Sequence, residues 1–259
     1  MYMKAILNLR VDRNIPVGEG CGALILAAEN GMTLPEVKPG QFVNVEIPGV
    51  KDVFLRRPIS ICDVSDGGRK WTLMIRNAGK GTNRLLQLET GATLNIVGPL
   101  GNGFPMENVS GRKHLLIGGG VGVAPLLYYG KRLVAEGAEV VFLLGARSVA
   151  HLYMPGAFNE VAPTCIATED GSAGIKGFVT DNVVMNSDSF DSWSVCGPAP
   201  MMKAVAAMAK KRGVDCNVSL ENMMACGLGA CLCCVEKTVR GNVCVCTNGP
   251  VFNLNELTW

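Results

Sequence analysis

The cysteines near the C-terminal end of the sequence have the types and spacing that could hold a metal. Six of the eleven cysteines lie between Cys226 and Cys246, and three of them follow the pattern Cys226-x4-Cys231-x2-Cys234. This spacing is typical of a plant-type [2Fe–2S] loop. Glycines inside the loop let backbone N–H groups approach the sulfurs and offset the charge of the thiolates. The sequence therefore predicts a [2Fe–2S] cluster in this loop.

The spacing leaves the fourth ligand open. Cys244 and Cys246 both follow the loop, and they would share one face of an alternating strand over residues 242–246. A structural zinc site is the alternative to a cluster, because Cys231-x2-Cys234 alone fits one half of a zinc ligand set. Zinc sites favour two separated C-x2-C pairs and do not need the glycine-containing x4 loop, so the cluster is the favoured interpretation.

A second candidate site lies in the first hundred residues. Arg57 stands three residues before Ser60 in the strand-like stretch RRPISI, and MIR ends another strand about twenty residues later. The sequence GKGT then forms a glycine turn before the short helical stretch TNRLLQL. Free N–H groups at a helix N-terminus bind anions. This arrangement could hold a flavin ring and its pyrophosphate, although ordinary surface structure is the alternative.

A third candidate site follows an apolar strand in the middle of the chain. The strand LLI leads into the glycine turn Gly118–Gly122 and then into a helix, as phosphate binding at a helix N-terminus requires. The turn is not a G-x-G-x-x-G fingerprint, and the next strand ends in LLGARS rather than in an acidic residue. An ordinary Rossmann dehydrogenase is therefore disfavoured. Cys196-Gly197-Pro198 follows another short strand, at the sheet edge where open α/β folds bind ligands.

The elements that must position these residues change in type along the chain. Short strands separated by Gly, Pro or Asp predict an antiparallel β-barrel, and from Lys113 onward a strand–turn–helix–strand alternation predicts a parallel α/β sheet. We expect a flavin barrel at 1–102, a nucleotide domain at 111–215 with a helix over Pro200–Arg212 that Gly213 ends, and a small cluster segment at 216–259. The predicted barrel strands are Lys4–Val11, Gly22–Ala28, Gln41–Ile47, Phe54–Cys62, Trp71–Arg76 and Thr93–Val97.

The composition excludes several function classes. The 259 residues are 48% hydrophobic and 18% charged, with a net charge of +2, so there is no basic field for nucleic acid. No apolar run approaches the roughly 18 residues that span a membrane, and polar residues interrupt the N-terminal stretch too early for a signal peptide. Crowded cysteines without a disulfide framework fit a reducing compartment. We expect a cytoplasmic protein whose partner is another protein.

Taken in order, these segments resemble the ferredoxin-reductase superfamily and, within it, the electron-transfer subunits of class 1B dihydroorotate dehydrogenases, which use NAD+. The resemblance covers essentially the whole chain. It rests on the stretches RRPISI, MIRNAGKGT, IGGGVGVAPL, ATEDGSAGIKGFVTD, VCGPAPMMKAV, MACGLGACLCC and CTNGPVF.

The resemblance implies three groups of cofactor-binding residues. FAD would be held by Arg57, Pro58, Ile59, Ser60, Met74, Ile75, Arg76, Gly81 and Thr82. NAD would face Gly118, Gly119, Gly120, Gly122, Cys196, Gly197 and Pro198. The cluster would be held by Cys226, Cys231, Cys234 and, from its place in the Cys-x-x-Gly-Pro-Val-Phe context, Cys246.

Two positions depart from the family pattern. Ile59 stands where many members of the superfamily carry an aromatic residue beside the flavin-binding Ser, so ring stacking is absent there. Cys233 stands where the family leads us to expect Gly. Arg147, after the second sheet strand, could meet a 2′-phosphate of NADP, although the resemblance favours NAD.

The resemblance also implies an electron relay in pyrimidine (UMP) biosynthesis. Electrons would pass from dihydroorotate to FMN in a separate catalytic subunit, and then through the [2Fe–2S] cluster and FAD to NAD+. We expect a heterotetramer of two such chains with two catalytic subunits. The alternatives are a small flavin and iron–sulfur subunit of a related reductase, such as a sulfide dehydrogenase or a ferredoxin-linked transhydrogenase, and a non-catalytic zinc-stabilised adaptor on a degenerate reductase fold.

Overall fold

The N-terminal third of the chain forms a closed antiparallel barrel with strand order β1-β2-β5-β4-β3-β6. The computed structural model describes residues 4–187 and 189–259. Alternating apolar side chains fill the barrel, among them Leu24, Trp71 and Ile75, which are fully buried. The strands are β1 Ala5–Gly18, β2 Cys21–Ala28, β3 Phe42–Val45, β4 Arg57–Ser65, β5 Lys70–Arg76 and β6 Thr93–Leu100, and helix α1 Lys80–Leu86 follows β5.

All six predicted barrel strands are confirmed, with differences at their ends. β1 continues past Val11 to Gly18 because it pairs with β2 along one long hairpin, from Leu9 opposite Ala28 to Gly18 opposite Cys21. Two irregularities shift the register, between Val11 and Arg13 and between Pro16 and Gly18. β4 begins at Arg57 rather than at Phe54, whose side chain is 91% exposed. Two adjacent exposed apolar loop residues, Phe54 and Leu55, therefore extended the predicted strand too far.

The second half of the chain forms a seven-stranded sheet in the order β10-β9-β8-β7-β11-β12-β15. All neighbouring strands are parallel except β15, which runs antiparallel to β12. The predicted antiparallel barrel and parallel α/β sheet are thus confirmed. The strands are β7 Lys113–Gly119, β8 Glu139–Ala146, β9 Thr164–Thr168, β10 Ile175–Lys176, β11 Ser192–Cys196, β12 Asp215–Ser219 and β15 Val251–Asn253.

Three helices connect the parallel strands: α2 Ala124–Ala135, α3 Pro155–Asn159 and α4 Ala199–Arg212. The predicted helix end at Gly213 is confirmed, because this glycine adopts the left-handed conformation with φ 67°. In the described part of the chain, no helix is long and apolar enough to cross a membrane.

One buried cluster joins the barrel to the sheet. Cys62 of β4 and Met74 of β5 lie in it together with Val123, which precedes α2, and Leu126 of α2. The predicted flavin strands therefore lie directly against the predicted nucleotide turn. This contact places the two sites side by side.

The cluster loop precedes a short ribbon, β13 Val235–Thr238 and β14 Gly241–Cys244, and helix α5 Val245–Asn248 follows directly. The predicted strand over 242–246 is therefore wrong beyond Cys244, and Cys244 and Cys246 do not share a strand face. β15 then returns the chain to the large sheet. The predicted domain boundaries stay a prediction.

Candidate functional site

The loop after β12 folds its cysteines around their own backbone N–H groups. The Cys226 Sγ accepts from the N–H of Leu228 at 3.3 Å and from that of Cys231 at 3.4 Å. The Cys231 Sγ accepts in return from the N–H of Cys226 at 3.5 Å. A second pair forms where the N–H of Cys246 donates to the Cys234 Sγ at 3.4 Å.

This geometry fits a two-iron cluster. A [2Fe–2S] cluster takes four cysteines, two on each iron, and the chain brings its cysteines together as the pairs Cys226–Cys231 and Cys234–Cys246. Across residues 4–187 and 189–259, no three His, Cys, Asp or Glu side chains form a group that could hold one metal ion. N–H donors directed at sulfur are also what such a cluster requires.

Glycines make the tight loop possible. Gly227 and Gly229 adopt left-handed conformations with φ 70° and 85°. The residue with positive φ near Cys233 is Leu232, at 58°. Cys233 itself therefore does not occupy a conformation that requires glycine, although the family pattern leads one to expect glycine there.

The two pairs differ in electrostatics. The hydrogen bond from the Leu228 N–H lowers the pKa of Cys226 to about 6, which favours the thiolate that binds iron. Cys246 is fully buried, and this burial raises the pKa of its thiol to about 12. One pair thus lies near solvent while the other reaches into the core.

A barrel residue anchors the cluster loop. The Asn44 side chain, on β3, donates to the carbonyl oxygens of Ala225 at 3.3 Å and of Cys226 at 3.2 Å. Asn44 also lies directly opposite Pro58 of β4. The sequence interpretation missed Asn44, although an asparagine between buried valines on a short apolar strand is a signal for it.

The predicted flavin residues come together around α1. A Cβ built on Gly81 would lie 3.3 Å from the Nε of Arg57 and 3.4 Å from its Nη2, so the guanidinium covers the first turn of the helix. The Thr82 hydroxyl accepts from the Ala78 N–H at 2.7 Å and donates to the Gly79 carbonyl at 3.1 Å, which closes the turn. A cation and a helix N-terminus at one place suit a pyrophosphate.

The remaining predicted flavin-binding residues differ in how deeply they are buried. Residues 57–60 are half-buried along one edge of the barrel, whereas Met74 and Ile75 are buried in the cores. Ile75 can therefore meet a flavin only through its backbone. Arg76, at the end of β5, is exposed.

The two nucleotide loops are in direct contact. A Cβ on Gly122 would lie 2.5 Å from the Gly197 Cα and 2.7 Å from the Cys196 carbonyl oxygen, so only glycine allows this approach. A Cβ on Gly119 would lie 2.5 Å from the Met201 Sδ, whereas Gly120, with φ 55°, faces open space. The turn and the Cys196-Gly197-Pro198 loop therefore form one continuous surface.

An acidic residue that the sequence interpretation missed lies at this surface. The Cys196 Sγ is 4.0 Å from an Oε of Glu221, and burial raises the pKa of Cys196. Glu221 has an exposed side chain; desolvation by the protein around it raises its pKa, while the nearby Arg76 lowers it. Its position after β12, at the carboxyl edge of the sheet, is the signal that could have found it.

Comparison with known families agrees with this geometry. The iron-sulfur cluster binding domain of dihydroorotate dehydrogenase B matches residues 221–258, and the oxidoreductase NAD-binding domain matches residues 116–207. A solved structure of an NADH-dependent reduced ferredoxin-NADP oxidoreductase, described for flavin-based electron bifurcation, aligns with a TM-score of 0.86 at 31% identity. That alignment covers 98% of this chain and 90% of the other. The predicted ferredoxin-reductase fold is thereby confirmed.

Curated relatives extend the match over nearly the full length. The dihydroorotate dehydrogenase B (NAD(+)) electron transfer subunit of Geobacillus sp. (strain WCH70) is 40% identical over 255 residues, which are 96% of this chain and 97% of the relative. The subunit of the same name from Shouchella clausii (strain KSM-K16) is 42% identical over 225 residues, 85% of this chain and 86% of the relative. Because identity at this level covers almost all of both chains, this chain belongs to the family of dihydroorotate dehydrogenase B (NAD(+)) electron transfer subunits.

Proposed function

We propose that this chain is the oxidoreductase component that carries electrons from an FMN-containing dihydroorotate dehydrogenase catalytic subunit, through [2Fe–2S] and FAD, to NAD+ in UMP biosynthesis. The observation that carries the proposal is the link between sites: Asn44 holds the Cys226 carbonyl and stands opposite Pro58 of the flavin strand. Orotate formation itself belongs to the catalytic partner subunit that the family name implies.

In the folded chain, the three predicted sites follow one another in the order in which electrons would pass between the cluster, the flavin and NAD+. A flavin can exchange hydride with nicotinamide and single electrons with an iron–sulfur cluster, so it belongs between the two. Strand β4 contacts both neighbouring sites: Pro58 pairs with Asn44, which anchors the cluster loop, and Cys62 packs in one buried cluster with Val123, beside the glycine turn. This packing supports a flavin site between the cluster site and the nucleotide site.

Particular side chains have distinct roles in this proposal. Arg57 binds the flavin pyrophosphate over the first turn of α1, and Ser60 with Arg76 lines the ring on the adjoining strands. Gly119, Gly120 and Gly122 let the nucleotide approach the backbone. The remaining assigned positions are Pro58, Ile59, Met74, Ile75, Gly81 and Thr82 for FAD and Gly118, Cys196, Gly197 and Pro198 for NAD.

The surface around the cluster loop supports docking of the catalytic subunit. Met223 is 84% exposed, Leu232 63% and Leu228 48%, while Met224 is half-buried beside them. Electron transfer requires the partner to approach the cluster, and exposed apolar side chains favour such a contact. We expect two of these chains and two catalytic subunits in the complex. None of the eleven cysteines, all within the described residues, forms a disulfide, which supports the proposed cytoplasmic location.

The deciding experiment is an anaerobic visible spectrum of the purified chain, with analysis of iron, sulfide, zinc and flavin. Flavin bands with two irons and two sulfides per chain are the expected result. Two further results would support the proposed electron-transfer route. The chain should co-purify with the catalytic subunit, and dihydroorotate should reduce NAD+ only in the complex. Zinc without flavin would refute the proposal and favour the zinc-stabilised adaptor.

A second candidate function is the small subunit of a related NAD(P)-linked reductase. It is favoured by the 31% identity to the ferredoxin-NADP oxidoreductase structure over 98% of this chain. The higher identity of 40%, over 96% of this chain, favours the dihydroorotate enzyme. The second function would be favoured over the first if the chain couples NAD(P)H to reduced ferredoxin and shows no response to dihydroorotate with any catalytic subunit.

A further inference from the structure

A fifth cysteine lies beside the four proposed ligands. Val235 pairs with Cys244 across the β13–β14 ribbon, so one position further Cys234 stands opposite Val245. The Val245 N–H donates to the Cys234 carbonyl oxygen at 3.0 Å, which fixes this arrangement. Cys244 and Cys246, the two neighbours of Val245, therefore lie on either side of Cys234.

Both neighbours of Val245 lie close to Cys234. The Cys246 N–H donates to the Cys234 Sγ at 3.4 Å, and Cys244 pairs with Val235, the residue that follows Cys234. The Cys244 Sγ lies 4.0 Å from the Gly229 carbonyl oxygen, inside the cluster loop. Cys246 is fully buried while Cys244 is half-buried, so the two thiols differ in their exposure to solvent.

We propose that Cys244 is an alternative fourth ligand of the cluster, able to replace Cys246 beside Cys234. The inference rests on the proposed cluster and concerns only which thiol completes it. In the exchange, the Cys244 sulfur forms a bond to iron and releases its proton to water, while the bond from iron to the Cys246 sulfur breaks and that sulfur takes up a proton. No electron is gained or lost.

The two candidate ligands lie close together in the chain. Cys244 ends β14 and Cys246 lies in the first turn of α5, so only Val245 separates them. The two cysteines are also close enough in sequence for the loop entropy to be nearly the same for either ligand. The family motif assigns only Cys246.

The test compares Cys246→Ala with the double variant Cys246→Ala/Cys244→Ala in the full chain, purified without oxygen. Iron, acid-labile sulfide, visible circular dichroism and the electron paramagnetic resonance spectrum of the reduced protein are the readouts. We expect Cys246→Ala to keep more than about half of the wild-type iron, with a changed dichroism spectrum, and the double variant to lose the cluster. Cys244→Ala and Cys233→Ala are the matched controls, and both are expected to keep two irons.

Equal loss of iron from the single and double variants would overturn the proposal. Flavin content reports folding, because the flavin residues lie in the barrel. If Cys246→Ala does not give folded, flavin-containing chain, Cys246→Ser is compared with Cys246→Ser/Cys244→Ala: different resonance spectra support exchange, and identical ones refute it. Absence of iron from the wild-type chain would refute the proposed function as well. If the wild-type chain binds iron, and the single and double variants lose it equally, only the role of Cys244 is refuted.

Discussion

The Asn44 side chain donates to the Cys226 carbonyl oxygen at 3.2 Å, and this hydrogen bond joins the barrel to the cluster loop across 182 positions of sequence. Asn44 is only 1% exposed. A buried amide that satisfies two carbonyls of one loop holds that loop against the barrel. This contact ties the loop to β3, the strand that pairs with the proposed flavin strand β4.

Replacing Asn44 by alanine should loosen this connection. Leaving the Ala225 and Cys226 carbonyls unpaired should cost about 1–3 kcal/mol of unfolding free energy. We also expect slower flavin reduction through the cluster, measured by stopped flow in the complex with its catalytic subunit. Asn83→Ala, at an exposed site on α1, is the control and should change stability by less than about 0.5 kcal/mol. Equal effects of the two substitutions would contradict the role of Asn44.

Arg57→Lys should weaken FAD binding. Lysine keeps the positive charge but loses the planar fork that binds a phosphate through two hydrogen bonds, so we expect the dissociation constant of FAD to rise about tenfold or more. Titration of flavin-free chain with FAD measures this change. Arg13→Lys is the control, because its side chain is 64% exposed on β1. Unchanged affinity in Arg57→Lys would remove Arg57 from the flavin site.

Gly122→Ala should separate the two nucleotide loops. The new methyl group would lie 2.5 Å from the Gly197 Cα, and backbone atoms cannot move away cheaply, so we expect a loss of about 1–3 kcal/mol in stability and weaker NADH binding. Gly156→Ala is the matched control, since its Cβ would meet nothing within 4 Å and helical alanine is favoured over glycine. Thermal unfolding and NADH titration give the two readouts. Wild-type NADH affinity in Gly122→Ala would show that loop contact is irrelevant to binding.

Loss of the cluster should abolish electron transfer from the catalytic subunit to NAD+ and leave the reaction of NADH with the flavin intact. Cys231→Ser removes a proposed ligand, so electrons from the catalytic subunit should no longer reach NAD+, whereas NADH should still reduce an artificial acceptor through the flavin. This separation is expected because the flavin and nucleotide residues lie outside the cysteine loop. Cys233→Ser, at an equally exposed cysteine of the same loop, should retain both activities. Simultaneous loss of both activities in Cys231→Ser would argue that the loop supports the flavin site directly.

The affinity for NAD+ should depend on pH through Glu221. Its pKa is raised by desolvation from the surrounding protein, and the neighbouring groups are the cationic Arg76 and the Cys196 thiol, which burial keeps protonated. Below this pKa the carboxyl is neutral, and above it the negative charge attracts the positive nicotinamide ring of NAD+, so affinity should increase with pH by about fivefold. NADH, whose ring is neutral, should show little change.

Glu221→Gln should abolish this pH dependence of NAD+ binding. Glu160→Gln, at an exposed site after α3, should keep it. Titrations of both nucleotides across the acidic and neutral range measure the effect. A pH dependence that persists in Glu221→Gln must come from another group, and would refute the assignment.

Much of the fold was predictable because its signals are local. Short strands separated by Gly, Pro or Asp in the first hundred residues predicted the barrel, and the strand–glycine turn–helix pattern from Lys113 predicted the parallel sheet. Strand ends were less predictable, since pairing partners rather than composition decide them: β1 extends to Gly18 because β2 follows it, and α5 replaces the predicted strand after Cys244.

By itself, the sequence determined the cluster loop, because the Cys226-x4-Cys231-x2-Cys234 spacing lets one short segment bring three thiolates to one place, and the family context favoured Cys246. The tertiary structure alone decided which distant residues meet: Arg57 with Gly81, Glu221 with Cys196, and Asn44 with Cys226. These contacts depend on barrel closure and on packing of the barrel against the sheet. Neither leaves a trace in local spacing, because long-range contacts follow from how the elements pack together.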